Sequence, residues 1–211
     1  MPRPLAITHV LIYRQFGGME RYVLELCRWM KARGHAPSLL LSTGSPVADA
    51  ARALEIPVRL APIAGDANPL APWHVARAVR QWGAELLNVH DNDSAVPCCL
   101  GGRLAGVPVV ATVHAFHSSR WPFIAADHLL AVSAALGGHL RGQGFPAERV
   151  SVIRSGVDVA HFVPSDQRQA RRDLGLAPEG VYFASTSRLS RGKGLALLID
   201  AFTGVRPQAP H

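Results

Sequence analysis

Between Leu5 and Leu140, short apolar runs of strand length alternate with longer segments of helical period, and few folds accommodate that rhythm. Leu5 to Ile12 has the pattern of a strand buried on both faces. A loop ending in Gly17-Gly18 follows. From Met19 to Arg33 the period is helical: Met19, Tyr22, Val23, Leu26, Cys27 and Met30 fall on one apolar stripe. Glu20 and Arg21 open the polar face, and Gly34 is placed to end the helix. The same reading gives strands at 37–41, 57–60, 86–89, 107–113 and 129–132, with helices at 47–54, 72–82, 95–104 and 134–140. Repeated βα units of this spacing predict an α/β fold, a parallel sheet with helices on both faces.

The rhythm breaks after Val152. Residues 155–158 read as a turn, 166–175 as a linker with a short helix, 181–185 as a new strand and 194–205 as a helix. A domain boundary is therefore expected near Pro164, giving a first domain at 1–164 and a linker plus one βα unit at 165–211. With 211 residues the chain is long for one ordinary domain and short for two.

Composition narrows the partners. The hydrophobic share of 48% supplies a core, and 18% charged residues argue against disorder. The net charge of +7 favours anionic partners. The arginines are scattered, however, with no basic stripe interleaved with aromatics. Solvated surface arginines account for the charge first, a phosphate-bearing ligand or membrane surface next, and nucleic acid last. The three cysteines, Cys27, Cys98 and Cys99, form no C-x-x-C and no disulfide framework. No secretory signal pattern opens the chain, and no stretch reaches the ~20 apolar residues of a membrane span. A cytoplasmic location is expected.

In parallel sheets ligands bind at the carboxyl ends of the strands. The unusual residues there are Gly17 and Gly18, His90 to Asp93, His114 to His117, and Ser133. Gly17-Gly18-x-Glu20 joins a strand to a helix. It reads either as a tight turn or as a backbone that lets an anion approach the helix N-terminus. The G-x-G-x-x-G fingerprint is missing, so no dinucleotide cofactor is indicated. His114 closes the strongest strand, where it either donates to a substrate hydroxyl and moves protons or is a surface histidine at a loop start. His90, Asp91 and His117 raise a metal reading, but His114-x-x-His117 has no third ligand at fixed spacing, and no metal is expected. Ser133 suits a helix N-cap. Arg188 and Lys193, five apart around a glycine-rich loop, make either a diphosphate cradle or an ordinary basic surface.

The order of these motifs resembles glycosyltransferase family 4. Gly17-Gly18-Met19-Glu20 is similar to its G-G-x-E motif. Val107 to His114 resembles its strand ending in the active-site histidine, and Val132-Ser133 its V-S turn. Ile153 to Asp158, with Phe162 and Pro164, is similar to I-x-N-G-V-D-x-x-x-F-x-P. Arg188-Leu189 with Lys193-Gly194 resembles G-R-L…K-G. Ser155 and Ser187 depart from the family's usual Asn and Gly. The family's E-x7-E motif has no counterpart before His211, so the resemblance implies a fragment with an incomplete second domain.

The resemblance further implies a GT-B fold of two Rossmann-like domains. It implies metal-independent, retaining transfer from a nucleotide-sugar, bound as substrate with no other cofactor, to a glycan or lipid-linked acceptor, with possible peripheral contact at the inner membrane face. His114, Arg188 and Lys193 would then serve catalysis. Gly17, Gly18, Arg188 and Lys193 would hold the donor phosphates, and Glu20, His90, Asp91 and Ser133 would line the acceptor side of the cleft. A sugar-nucleotide epimerase of the same architecture, with Asp91 and Asp93 as its acids, and a non-catalytic glycan-binding remnant are the competing readings.

Overall fold

The strands run in the order β3-β2-β1-β4-β5-β6-β7 and every neighbouring pair is parallel. They are β1 (Ala6–Leu11), β2 (Ala36–Ser42), β3 (Val58–Ala61), β4 (Leu86–Val89), β5 (Val109–Val113), β6 (His128–Ala131) and β7 (Val150–Val152). The structure is a computed structural model that describes residues 3–12, 16–63, 68–90, 95–117, 121–187 and 189–205. From β1 the chain winds outward through β2 and β3, then returns to the other side of β1 with β4. The sheet therefore reverses between β1 and β4, the place where such sheets open a crevice at their carboxyl edge.

Helices cross between the strands: α1 (Gly18–Ala32), α2 (Val47–Ala53), α3 (Ala71–Gln81), α4 (Ala95–Ala105) and α5 (Ala134–Gly142). Alternation along the strands sends side chains to two cores. Leu11, Leu39 and Leu41 meet Val23, Leu24 and Cys27 of α1 and Val47, Ala48 and Ala51 of α2 on one face. Val10 and Leu40 meet Val75 and Val79 of α3 and Cys98 and Cys99 of α4 on the other. Helices thus cover both faces, as expected from the sequence.

Two glycines let α4 approach closely. A Cβ on Gly101 would lie 2.5 Å from Val75 Cβ and 2.7 Å from the Pro72 carbonyl oxygen of α3. One on Gly102 would lie 2.4 Å from Val109 Cγ2 of β5. Buried Cys27 and Cys99 behave as small hydrophobes, their thiols pushed up to about 12 by desolvation.

Three expectations need correction. Glu20 is not on the polar face of its helix: it is 3% exposed. Its carboxylate turns back to accept from Gly17 N–H at 2.8 Å, so it satisfies a helix-start donor that water would otherwise take. The strand β7 is additional, too short to show a pattern by itself. Residues 181–185 form no strand, because a strand exists only as a rung of a ladder and nothing among the described residues pairs with them.

The chain divides into two compact units, Met1–Gly156 and Val157–His211. The second holds α6 (Gln167–Asp173), a 3₁₀ turn at Arg191–Lys193 and α7 (Leu195–Val205). Asp166 caps α6 by accepting from Arg168 N–H at 3.1 Å. On α7, Leu197, Leu198, Ile199 and Phe202 are exposed. Among the described residues, no helix is long and apolar enough to cross a membrane.

Candidate functional site at the sheet reversal

Strand register decides what meets at the β1–β4 junction. His9 of β1 lies opposite Asn88 of β4, and Asn88 lies opposite Val110 of β5. His90 stands two residues beyond Asn88, and His114 four beyond Val110. All have the same parity, so they project to one face. The three imidazoles therefore climb diagonally: each step crosses one strand and rises two residues toward the carboxyl edge.

The rings touch in sequence. His9 Nδ1 is 3.0 Å from His90 Nε2, and His90 Nδ1 is 3.0 Å from His114 Nε2. Ring centroids are 5.3 Å apart at both steps. Tyr22, one turn into α1, packs edge-on against His114 at 5.1 Å and against His90 at 6.3 Å. Beneath them Thr112 Oγ1 donates to Asn88 Oδ1 at 2.9 Å. His9 and His90 are buried, while His114, at the carboxyl edge of the sheet, is only part-buried.

Burial sets their electrostatics. Desolvation disfavours a charged imidazole, so His9 and His114 are each lowered from 6.5 to about 4. His90 is held well below its ordinary range, first by burial and then by repulsion from His9 and His114. At neutral pH the row is uncharged. Among the described residues, His9 Nε2 is buried and finds no hydrogen-bond partner. The nitrogens form a line rather than converging on a point, and no group of three or more candidate metal ligands occurs among the described residues.

The other described sequence candidates are helix starts of the first unit and a turn of the second. Gly17 is the N-cap of α1 and Gly18 its first residue, one helical turn before Tyr22. A Cβ on Gly17 would stand 3.1 Å from the Glu20 carboxylate, so the glycine makes room for that internal cap. Ser133 accepts from Leu136 N–H at 3.2 Å as the N-cap of α5. It follows β6, where Val132 N–H donates to Val113 O at 3.4 Å, next to the end of β5. Lys193 ends the exposed 3₁₀ turn of the second unit, and Gly194 adopts φ +65 to start α7. Asp91 and Arg188 lie outside the described residues. Sequence reasoning missed His9, which hides inside an apolar run, and Tyr22, which reads as one more stripe residue of α1.

The chain resembles known glycosyltransferases in sequence and in fold. A D-inositol 3-phosphate glycosyltransferase of Jonesia denitrificans is 45% identical over 67 residues, which cover 30% of this chain and 16% of that protein. The solved glycosyltransferase of Rickettsia africae superposes with a TM-score of 0.74 at 18% identity, covering 97% of this chain and 58% of that one. Anabaena HepE, solved in complex with UDP and glucose, gives a TM-score of 0.72 at 22% identity, covering 98% and 59%. These likenesses show the GT-B fold, and this chain spans just under three fifths of those solved chains. The profile of Glycosyltransferase Family 4 matches residues 16–161, most of the first unit with His90 and His114 inside the match and β1 with His9 before it, and the chain belongs to that family.

Proposed function

We propose that the chain is the acceptor-side half of a retaining glycosyltransferase. Such an enzyme moves a sugar from a nucleotide-sugar donor to a glycan or lipid-linked acceptor. The observation that supports it is the neutral imidazole of His114 standing at the carboxyl edge of the sheet, one strand from the reversal and inside the family match. A neutral ring suits a reaction in which the sugar gains positive charge: it offers hydrogen bonds without electrostatic repulsion. The leaving diphosphate would be held by Arg188 and Lys193 in place of a divalent ion, and the Gly17-Gly18 backbone would serve as a phosphate contact of the first unit. The acceptor would lie along Asp91 and Ser133, with the buried Glu20 and His90 supporting that side from behind. The inositol phosphate named for the relatives is one acceptor to try.

In this reading the donor sugar and ribose contacts come from sequence beyond residue 211, so the 211-residue chain alone transfers little or nothing. The protein would act in the cytoplasm, with weak, salt-sensitive attraction to anionic membrane through its arginines. No observation favours an epimerase, whose candidate acids Asp91 and Asp93 fall outside the described residues.

The experiment is a transfer assay with a panel of nucleotide-sugars and acceptors, including inositol 3-phosphate. It is run on this chain and on a version extended through the downstream reading frame. Transfer by the extended protein, insensitive to a chelator and with retained anomeric configuration, is the expected result. Inversion, or dependence on a metal, refutes the mechanism. In the extended protein Lys193→Ala should cut turnover by orders of magnitude.

A further inference from the structure

Three neutral imidazoles joined by two N···N contacts have only two complete hydrogen-bonding arrangements, because each ring carries one N–H. In the first, His9 Nδ1–H donates to His90 Nε2, and His90 Nδ1–H donates to His114 Nε2. His114 must then carry its own proton on Nδ1. In the second every bond reverses: His114 donates from Nε2, His90 donates to His9, and His9 is left with its proton on Nε2.

The far end of the row separates the two. His9 Nε2 is buried and has no hydrogen-bond partner among the described residues. The second arrangement seals an N–H there with nothing to receive it. The first leaves only a bare lone pair. Buried orphan donors are the rarer defect in folded proteins, and an unpaired buried donor forfeits its full desolvation cost. The first arrangement wins. The orphan also closes the row: a proton passed inward from His114 meets no onward acceptor beyond His9 among the described residues, so the row they form is not a conduit to solvent.

We propose that His90 and His9 are positioning residues that lock His114 in its Nδ1–H tautomer, so that His114 meets substrate as a neutral hydrogen-bond donor and not as a base. The role for His114 rests on the glycosyltransferase reading; the lock itself rests on the contacts at 3.0 Å and the buried orphan nitrogen. Tyr22, packed edge-on against His90 and His114, braces those two rings and brings no charge of its own to the row. Specificity follows from the lock: His114 should favour a hydroxyl that accepts, and should not deprotonate an acceptor alcohol.

Imidazole tautomers are read directly by long-range proton–nitrogen correlation on the full chain labelled with ¹⁵N-histidine, with signals assigned from single histidine variants. At pH 7 His114, His90 and His9 should all be Nδ1–H forms, against the usual preference of histidine in water for Nε2–H. A His114 signal in the Nε2–H form, or averaged between the two, overturns the proposal. His90→Phe should return His114 to Nε2–H, while its titration stays low because burial sets it. His90→Gln, whose side-chain amide can still donate, should restore Nδ1–H. If His90→Phe does not fold, His9→Phe serves instead: it removes the bond that directs His90, and His114 should become a mixture. A His114 tautomer unmoved by either change also overturns the lock. These readings need no donor sugar, so they stand apart from the glycosyltransferase reading, which fails in the transfer assay.

Discussion

Acid should loosen this fold well before its carboxylates begin to protonate. His9 is fully enclosed and is held near 4 by burial, against 6.5 in an open chain. As pH falls below 6.5 the unfolded chain takes up a proton at this position and the folded chain does not. The unfolded state binds more protons, so stability is complete above 6.5 and is lost as pH drops toward 4. At 1.36 kcal/mol per pH unit, the fall from 6.5 to 5 costs about 2 kcal/mol from His9 alone. His114 is lowered to about 4 as well and adds a loss of the same order, and His90 shifts in the same direction. Against a typical 5–15 kcal/mol for a whole domain, that is a large share. The assay is urea unfolding at pH 7, 6 and 5, followed by circular dichroism and compared with His9→Phe. The wild-type chain should lose at least about 2 kcal/mol over this range, and the variant distinctly less. Equal stability at pH 7 and 5, or identical losses in both proteins, would falsify the claim that the row is buried and neutral.

Gly102→Ala should destabilise the first unit by about 1–3 kcal/mol in thermal or urea unfolding, since its methyl would sit 2.4 Å from Val109 Cγ2 and force α4 off the sheet. Ser133→Ala should cost about 1 kcal/mol by the same measurement, and Ser133→Asp should restore it, because only the cap of α5 is touched. Glu20→Ala should cost about 1 kcal/mol and speed amide exchange at Gly17, whose N–H loses its acceptor.

The sheet was legible in the sequence because its strands are apolar runs bounded by glycine or polar turns, and six of its seven could be placed to within a residue or two. β7 escaped because three residues, Val150-Ser151-Val152, carry no period. Residues 181–185 looked like a strand for the converse reason: an apolar run records a propensity, while a strand needs a neighbour. Glu20 was misplaced by a stripe that ranks residues by polarity. The Gly17-x-x-Glu20 spacing is itself the signature of a carboxylate folding back on a helix start. His114, Gly17 and Ser133 were visible as oddities at strand and helix ends. The partnership of His9, His90 and His114 was not: it joins positions 81 and 24 residues apart, and only the strand order β1-β4-β5 makes them neighbours.

The diagonal climb of the imidazoles also constrains how such a chain can change by descent. Each ring reaches the next only because three separate strands keep the same parity. Removing or adding one residue within β4 would turn Asn88 and His90 through to the α3–α4 side and bring apolar neighbours beneath Tyr22. Point substitutions can vary the chemistry at each stair. Changes of length within β1, β4 or β5 dismantle the staircase, so length variation among descendants of this sequence should gather in the connections between elements and leave these three strands untouched.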